Sequence, residues 1–414
     1  MSHSVPMSHV AKASEATTAA GRAHDVPSAA ELIARASALV PVLREREAQA
    51  IDSRQVSSDT IAEFQDAGFF RILQPKRYGG YEMSPAVYCE VAKTLAEGCM
   101  GSAWVYGVVA VHNWQLALFD PQAAEDVWAE DNSVLISSSY MPTGKVTKVE
   151  GGYRFSGRWA FSSGSHHCSW VILGANMVAE DGDGQPEPYN FLVPRSDYEI
   201  VDTWQVMGLC PTGSNDIVVD DVFVPAHRVI RERDMFNLDC PGHALNTASL
   251  YRIPFAQLFN RTVSTTSLGS LRRALDVFVE STRQKRATYT GLRLAGDTTI
   301  QEAVADVMLT LNDLELRLAG DLAELERRAV SGDWPIELRA QLGHHTTTMV
   351  SRCVEAIDKL MLFSGGKAIY SGNVIQRAFL DIHCARAHVA NNPYPYARNL
   401  GGLAFGFNNE CLDL

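Results

Sequence analysis

Apolar residues recur at three- and four-residue steps through "AAELIARASALVPVLREREAQAIDSR" and "SSDTIAEFQDAGFFRIL", which predicts amphipathic helices between about Ser28 and Asp131. Ser58 precedes the second run as an expected N-cap, and "PKRYGGYEMSP" supplies a turn after it. From about Lys145 to Arg228 the pattern changes. "GGYRFSGRWAFSSG", "CSWVILGANMV", "YNFLVP" and "DIVVDDVFVP" are short, β-branched or aromatic, and bounded by Gly, Asp and Pro, which predicts strands. With no helical pattern between them, they imply an antiparallel barrel or sandwich and not a parallel doubly wound sheet. From about Phe255 the helical period returns. Val304, Val307, Leu311, Leu314, Leu318, Leu322 and Leu325 share one face of a helix long enough to join a bundle, and "TTTMVSRCVEAIDKLMLFSGG" stops at Gly365–Gly366. The expected fold is α+β, divided into an extension at 1–27, a helical domain at 28–144, a β domain at 145–245, a helical bundle at 246–400 and a tail at 401–414.

Composition narrows the function classes. The 414 residues carry a net charge of −12 without a basic run, which argues against a nucleic-acid partner. Eight scattered cysteines with no C-x-x-C pair fit reduced thiols in a cytoplasmic protein better than disulfides or zinc. No uncharged stretch is long enough for a membrane helix. "MSHSVPMSHVAKASEATTAAGRAHD" lacks the apolar segment of a secretion signal and reads as a frayed extension.

Neither G-x-G-x-x-G nor a phosphate-cradling P-loop is present, and His166–His167 and His344–His345 are adjacent pairs whose side chains diverge, so no metal site is expected. In "RWAFSSGSHHCSW", Trp159 and Phe161 alternate with small residues before Ser162-Ser163-Gly164. Hydroxyls and backbone N–H groups at a strand end suit the polar edge of a flat heterocycle, with an aromatic residue against its face. The bland alternative is an ordinary strand-to-turn transition. "SSSYMPTG" is a second serine-rich turn entering the same domain, with the same alternative.

"QVMGLCPTGSNDIVVDDVFVPAHRVI" resembles the middle-domain signature of the acyl-CoA dehydrogenase fold, and "PKRYGG" and "SGG" sit where that fold's recurrent turns lie. The resemblance implies an N-terminal helical domain, a middle antiparallel β-barrel, a C-terminal four-helix bundle and a homotetramer, with flavin between the β domain and the bundle. Dehydrogenases of this fold abstract a proton with a carboxylate near the C-terminus, but no acid stands between Asp381 and Glu410 here. "VAVHNWQLALFD", "ISSSY", "WAFSSG" and "IQRAFLDIHCARAHVANNP" are instead similar to the flavin-dependent monooxygenase branch, the oxygenase components of two-component p-hydroxyphenylacetate and hydroxylated-steroid hydroxylases.

That likeness implies reduced FMN or FAD (FMNH2 or FADH2), delivered by diffusion from a separate NAD(P)H-dependent flavin reductase. It further implies O2 as co-substrate, a C4a-hydroperoxyflavin, and hydroxylation of a phenol or other electron-rich ring. By the same likeness His383 is the candidate base, and Ser163, with Ser162 as alternate, protects the oxygenated flavin. His112 and Ser138 contact the substrate hydroxyl, and Trp159 and Phe161 border the isoalloxazine. Thr212 and Ser214 join the cofactor loop, Arg252 faces the anionic edge with Arg261 as competitor, and His388 is structural. Two departures stand out: Cys210 replaces an arginine common in the loop, and His166 stands where relatives often carry an acid. The competing expectations are an acyl-CoA dehydrogenase-type FAD oxidoreductase, an N-oxygenase acting on an amine or amino sugar, and a non-catalytic helical assembly protein.

Overall fold

A computed structural model describes residues 26–179 and 184–409. The extension expected at 1–27 therefore lies almost wholly outside the described residues, as does the end of the tail. Five helices come first: α1 (Ala29–Ser53), α2 (Ser58–Asp66), α3 (Pro85–Ala96), α4 (Met100–Leu116) and α5 (Pro121–Trp128). Ser28 and Glu31 form a reciprocal capping box on α1, and α2 is capped by Ser57, one residue before the expected Ser58. Every residue of α4 is buried. A helix buried all round belongs at the centre, and α4 packs between the β domain and the bundle.

Seven strands follow: β1 (Ile136–Val149), β2 (Gly152–Ser162), β3 (Trp170–Val178), β4 (Pro186–Pro194), β5 (Glu199–Val201), β6 (Asn215–Pro225) and β7 (Val229–Arg231). They pair in the order β5-β6-β2-β1-β3-β4-β7. The first strand starts nine residues earlier than the expected boundary at 145. The sheet is also mixed, not purely antiparallel as expected, because β1 and β3 run parallel. The segment after β2 forms a 3-10 turn at Ser165–His167 and carries the chain across, so β3 returns beside β1 instead of folding back on β2. β1 bends between Ser139 and Gly144, giving its first half to β3 and its second half to β2. A separate aromatic core fills the domain, with Phe155 stacked on Phe191 at 4.4 Å and Trp159 beside Phe155 at 5.0 Å.

After a short α6 (Glu232–Asn237), the chain forms α7 (Phe255–Arg283), α8 (Thr298–Ser331), α9 (Ile336–Ser364), α10 (Val374–Arg386) and α11 (Pro393–Ala404). Of the expected stripe, Val307, Leu311, Leu314, Leu318, Leu322 and Leu325 are buried and Val304 at its start is half-buried. α9 ends at Ser364, where Gly365 adopts φ +73°. α7 is the bundle's central member, packed on α3, α4, α8, α9 and α10. No helix among the described residues is long and apolar enough to cross a membrane.

Candidate active site

Three elements converge where β2 ends. Between Trp159 and Ser162 the β2–β6 register slips, and Phe161 takes up a left-handed φ of +68° with its ring 61% exposed. That strained, outward conformation leaves Phe161 free at the domain surface, edge-on to Trp204 at 6.2 Å. Gly164, at φ +70°, turns the chain against α4, where a Cβ would fall 2.9 Å from Val105. Its N–H donates to the Thr212 carbonyl at 2.9 Å, tying the strand end to the loop before β6.

The loop is in turn clamped by α10. Gly208 lies so close that a Cβ would stand 2.4 Å from the Leu380 carbonyl oxygen. Leu209, at φ +54°, donates its N–H to Asp381 Oδ1 at 2.6 Å. Asp381 is buried, and desolvation raises its carboxyl to about 6 against the pull of Arg377 and the Leu209 N–H. Arg377 also reaches Cys210 Sγ at 3.8 Å, so a guanidinium from α10 approaches the position where the sequence pattern lacks its arginine.

A hydroxyl relay sits on this scaffold. Ser163 Oγ is 2.7 Å from Ser214 Oγ, Ser214 Oγ is 2.7 Å from Thr212 Oγ1, and Thr212 Oγ1 donates to the Leu209 carbonyl at 2.9 Å. Trp104 Nε1 donates to Ser163 Oγ at 3.3 Å, and the His388 ring meets the Trp104 indole edge-on at 5.8 Å. Burial lowers His388 to about 4, so it is neutral at ordinary pH. Its Nδ1 accepts the Ala390 N–H at 3.1 Å, which places the ring proton on Nε2.

Two turns further along α4, on the face of Trp104 and Val108, stands His112. It is fully buried, and desolvation lowers it to about 4. Its Nδ1 is 2.7 Å from the Ile136 carbonyl. A carbonyl only accepts, so the neutral ring carries its proton on Nδ1 and leaves a lone pair on Nε2, which has no partner. The His112 ring packs edge-on against Tyr140 at 6.2 Å, and Tyr140 donates to Gln115 Oε1 at 2.5 Å. Ser138, half-buried on β1, also hydrogen-bonds the Tyr140 hydroxyl.

The sequence-derived residues thus divide. Ser163, Thr212 and Ser214 are joined by hydrogen bonds, Ser162 is buried beside them with an unpartnered hydroxyl, Phe161 is exposed at the same strand end, and His112 and Ser138 flank Tyr140. Three are elsewhere. Trp159 points into the β core and donates to the Gly174 carbonyl at 2.8 Å, so it does not border a ligand face. Strand alternation explains this, since Trp159 lies on the inward side of β2 and the bulge frees only Phe161. Arg252 is exposed on a 3-10 turn, and its competitor Arg261 is buried in the bundle against Asp321 at 3.4 Å. His383 faces α9, bonded to Asp358 at 2.9 Å and packed on Phe379, while His388 on the following turn meets Trp104. Of the two departures, His166 bonds Asn215 at 3.1 Å beside the loop.

Trp104, Tyr140, Gln115 and Asp381 were not anticipated. Trp104 was legible as the residue two turns before His112 on one face of a helix; Asp381 carried no signal beyond its place in the α10 run. No group of three or more His, Cys, Asp or Glu among the described residues is arranged to hold a metal. The donor set suits the polar edge of a flat heterocycle: Ser162 and Ser165, close to Ser163 in sequence, have buried hydroxyls with no partner, and Phe161 is exposed at the same strand end.

The chain is similar to several known proteins. Residues 30–124 match the acyl-CoA dehydrogenase N-terminal domain and residues 262–393 match the C-terminal domain. The flavin-dependent monooxygenase oxygenase subunit HsaA of Rhodococcus jostii is 40% identical over 87% of this chain and 94% of its own. The oxygenase component of p-hydroxyphenylacetate 3-hydroxylase from Acinetobacter baumannii is 30% identical over 92% of this chain and 91% of its own. The crystal structure of 3-HSA hydroxylase from Rhodococcus sp. RHA1 superposes with a TM-score of 0.88 at 38% identity, covering 93% of this chain and 99% of that one.

Proposed function

Since the chain belongs to the flavin-dependent monooxygenases of the acyl-CoA dehydrogenase fold, as an oxygenase component for aromatic hydroxylation, we propose that it holds reduced FMN or FAD at the Ser163 cluster and presents a phenol to His112. Bound reduced flavin supplies the electrons and the centre at which O2 is made ready to transfer one oxygen atom to the ring. The chain's own residues do the rest. Ser162, Ser163, Thr212 and Ser214 supply the polar edge, and Phe161 covers a face. Val105, Val108 and Val109 on α4 keep water out, which prolongs the life of a reactive oxygen species. The span from Trp104 to His112 is about 12 Å of helix, enough to separate a cofactor edge from a substrate hydroxyl.

The observation that carries the reading is the unpartnered Nε2 of His112. It is a buried lone pair with its tautomer fixed, held neutral, and lying beside Ser138 and Tyr140. It takes the phenolic proton as electron density moves into the ring. His388 presents Nε2–H, a donor, and so stabilises developing negative charge near Ser163. His383, bonded to Asp358, has no support for the base role first expected of it. Asp381, buried on α10, is occupied by the Leu209 N–H, so it does not favour α-proton abstraction. A separate NAD(P)H-dependent reductase supplies the flavin, and the protein works as a homotetramer.

The test is to bind photoreduced FMN and FAD without air and mix with oxygenated buffer, with and without 3-HSA or p-hydroxyphenylacetate, the compounds in the relatives' names. A hydroxylated product from at least one phenol, lost in His112→Asn, supports the reading. Flavin oxidation at the free rate with every phenol unchanged overturns it.

A further inference from the structure

We propose that the protein takes uncharged phenols and rejects carboxylated ones, and that Glu232 on α6 is a residue that sets this specificity. The inference rests on the reading that a phenol meets His112.

The wall beside His112 is aromatic. Tyr140, half-buried, meets Phe255 edge-on at 5.6 Å and Phe259 edge-on at 5.1 Å, and those two rings stack at 5.2 Å. Phe236 of α6 meets the Phe255 ring at 6.1 Å. Such a wall receives another ring by face or edge and offers nothing to an ionised group.

The charge that reaches this wall is negative. Gln115, three residues after His112 on α4, accepts from the Tyr140 hydroxyl, and its Nε2 meets Met235 Sδ of α6 at 3.8 Å. Glu232 stands one turn before Met235, with Asn190 Nδ2 donating to its Oε1 at 3.1 Å. Burial raises the Tyr140 hydroxyl above its usual range, the Ser138 bond opposes that, and the Glu232 carboxylate adds to the rise. The groups that act on His112 and Tyr140 are Ile136, Ser138, Gln115 and Glu232, and none of them is a cation. Two cations of neighbouring elements are engaged elsewhere: Arg231 with Glu187 at 2.5 Å, and Arg339 with the Phe236 carbonyl at 2.8 Å. A carboxylate carried in on a phenol would lose its water, gain no counter-charge at the wall and stand in the field of Glu232. A neutral group of the same shape escapes both costs.

The experiment compares p-hydroxyphenylacetate with p-hydroxyphenylacetamide, which matches it in shape and lacks the charge. Each is given to the enzyme loaded with photoreduced flavin, and single-turnover product formation is followed against phenol concentration. Wild type should favour the amide by roughly tenfold or more in the apparent second-order rate constant. Glu232→Gln, which keeps an acceptor for Asn190, should narrow that ratio several-fold, and Glu232→Asp, which keeps the charge, should hold it; a general packing effect would move both variants alike. If neither compound is turned over while 3-HSA is, the two are compared as inhibitors of 3-HSA hydroxylation, with the same ratio expected. A wild type that takes the acid as well as the amide overturns the proposal and leaves the functional reading intact. A ratio unmoved in Glu232→Gln, or moved equally in Glu232→Asp, overturns the part given to Glu232. Hydroxylation of no phenol at all overturns the functional reading itself.

Discussion

Replacing His112 with Asn separates the two jobs of its ring. The Asn amide nitrogen occupies roughly the place of Nδ1 and keeps the bond to the Ile136 carbonyl, while Nε2, the unpartnered base, is deleted. A positioned general base contributes about 10²–10⁴-fold, and a ring held at about 4 is a weak one toward a phenol, so hydroxylation at pH 7 should fall by the low end of that range, about 10²-fold, with reduced-flavin binding preserved. The pH profile supplies the sharper criterion. His112 is held at about 4, so in wild type the base is available throughout the neutral range and the rate stays flat above that value. In His112→Asn the enzyme depends on phenol that has ionised by itself, so the rate should climb tenfold per pH unit toward a phenolic pKa of about 10. The assay is single-turnover product formation from pre-bound reduced flavin between pH 6 and 10. A variant rate that is low and flat with pH would refute the base assignment, as would one equal to wild type at pH 7. The same ring makes a stability statement. Burial lowers its pKa from 6.5 to about 4, so the unfolded chain binds the proton first and about 3 kcal/mol is lost as pH falls from 6.5 through 4.

Further expectations concern neighbouring residues. His383→Ala removes a partly exposed hydrogen bond with Asp358 and should change stability by about 0–1 kcal/mol and hydroxylation little, whereas His388→Ala should lower product yield per flavin oxidised; quantifying hydrogen peroxide beside product distinguishes them, and the reverse pattern would return the catalytic role to His383. Asp381→Ala strands the buried Leu209 N–H and should destabilise by about 1–3 kcal/mol, while Asp381→Asn keeps an acceptor and should stay near wild type at low pH in thermal melts. Because burial raises Asp381 to about 6, the folded state holds its proton where the unfolded chain has lost it, so this group's share of stability declines as pH rises from about 4 to 6, and Asp381→Asn should abolish that slope. Phe161→Gly relieves a left-handed residue and should raise the melting temperature while weakening flavin binding; unchanged affinity would detach Phe161 from the cofactor face.

Much of the architecture was legible because burial and period coincide. The α8 stripe, the glycine stop after α9 and the Pro- and Gly-bounded strands each announce themselves locally. The parallel β1–β3 pairing was not legible, because nothing in either strand states which neighbour it takes; that is set by the turn at Ser165–His167 and the bend at Ser139–Gly144. Trp159 misled for a related reason. Alternation along β2 placed Trp159 and Phe161 on one side, but the slip between Trp159 and Ser162 gives Trp159 to the core and Phe161 to the surface.

The histidines mark a different limit. His383 lies in the last turn of α10 and His388 just past its end, and spacing alone favours neither; the end of the helix between them turns one toward Asp358 and the other toward Trp104. Their chemistry is then decided by what occupies the other ring nitrogen. The Ile136 carbonyl makes His112 an acceptor at Nε2, and the Ala390 N–H makes His388 a donor at Nε2, although burial lowers both rings to the same value of about 4. A pKa alone would assign them one role. The polarity of a single hydrogen bond on the far side of each ring assigns them two.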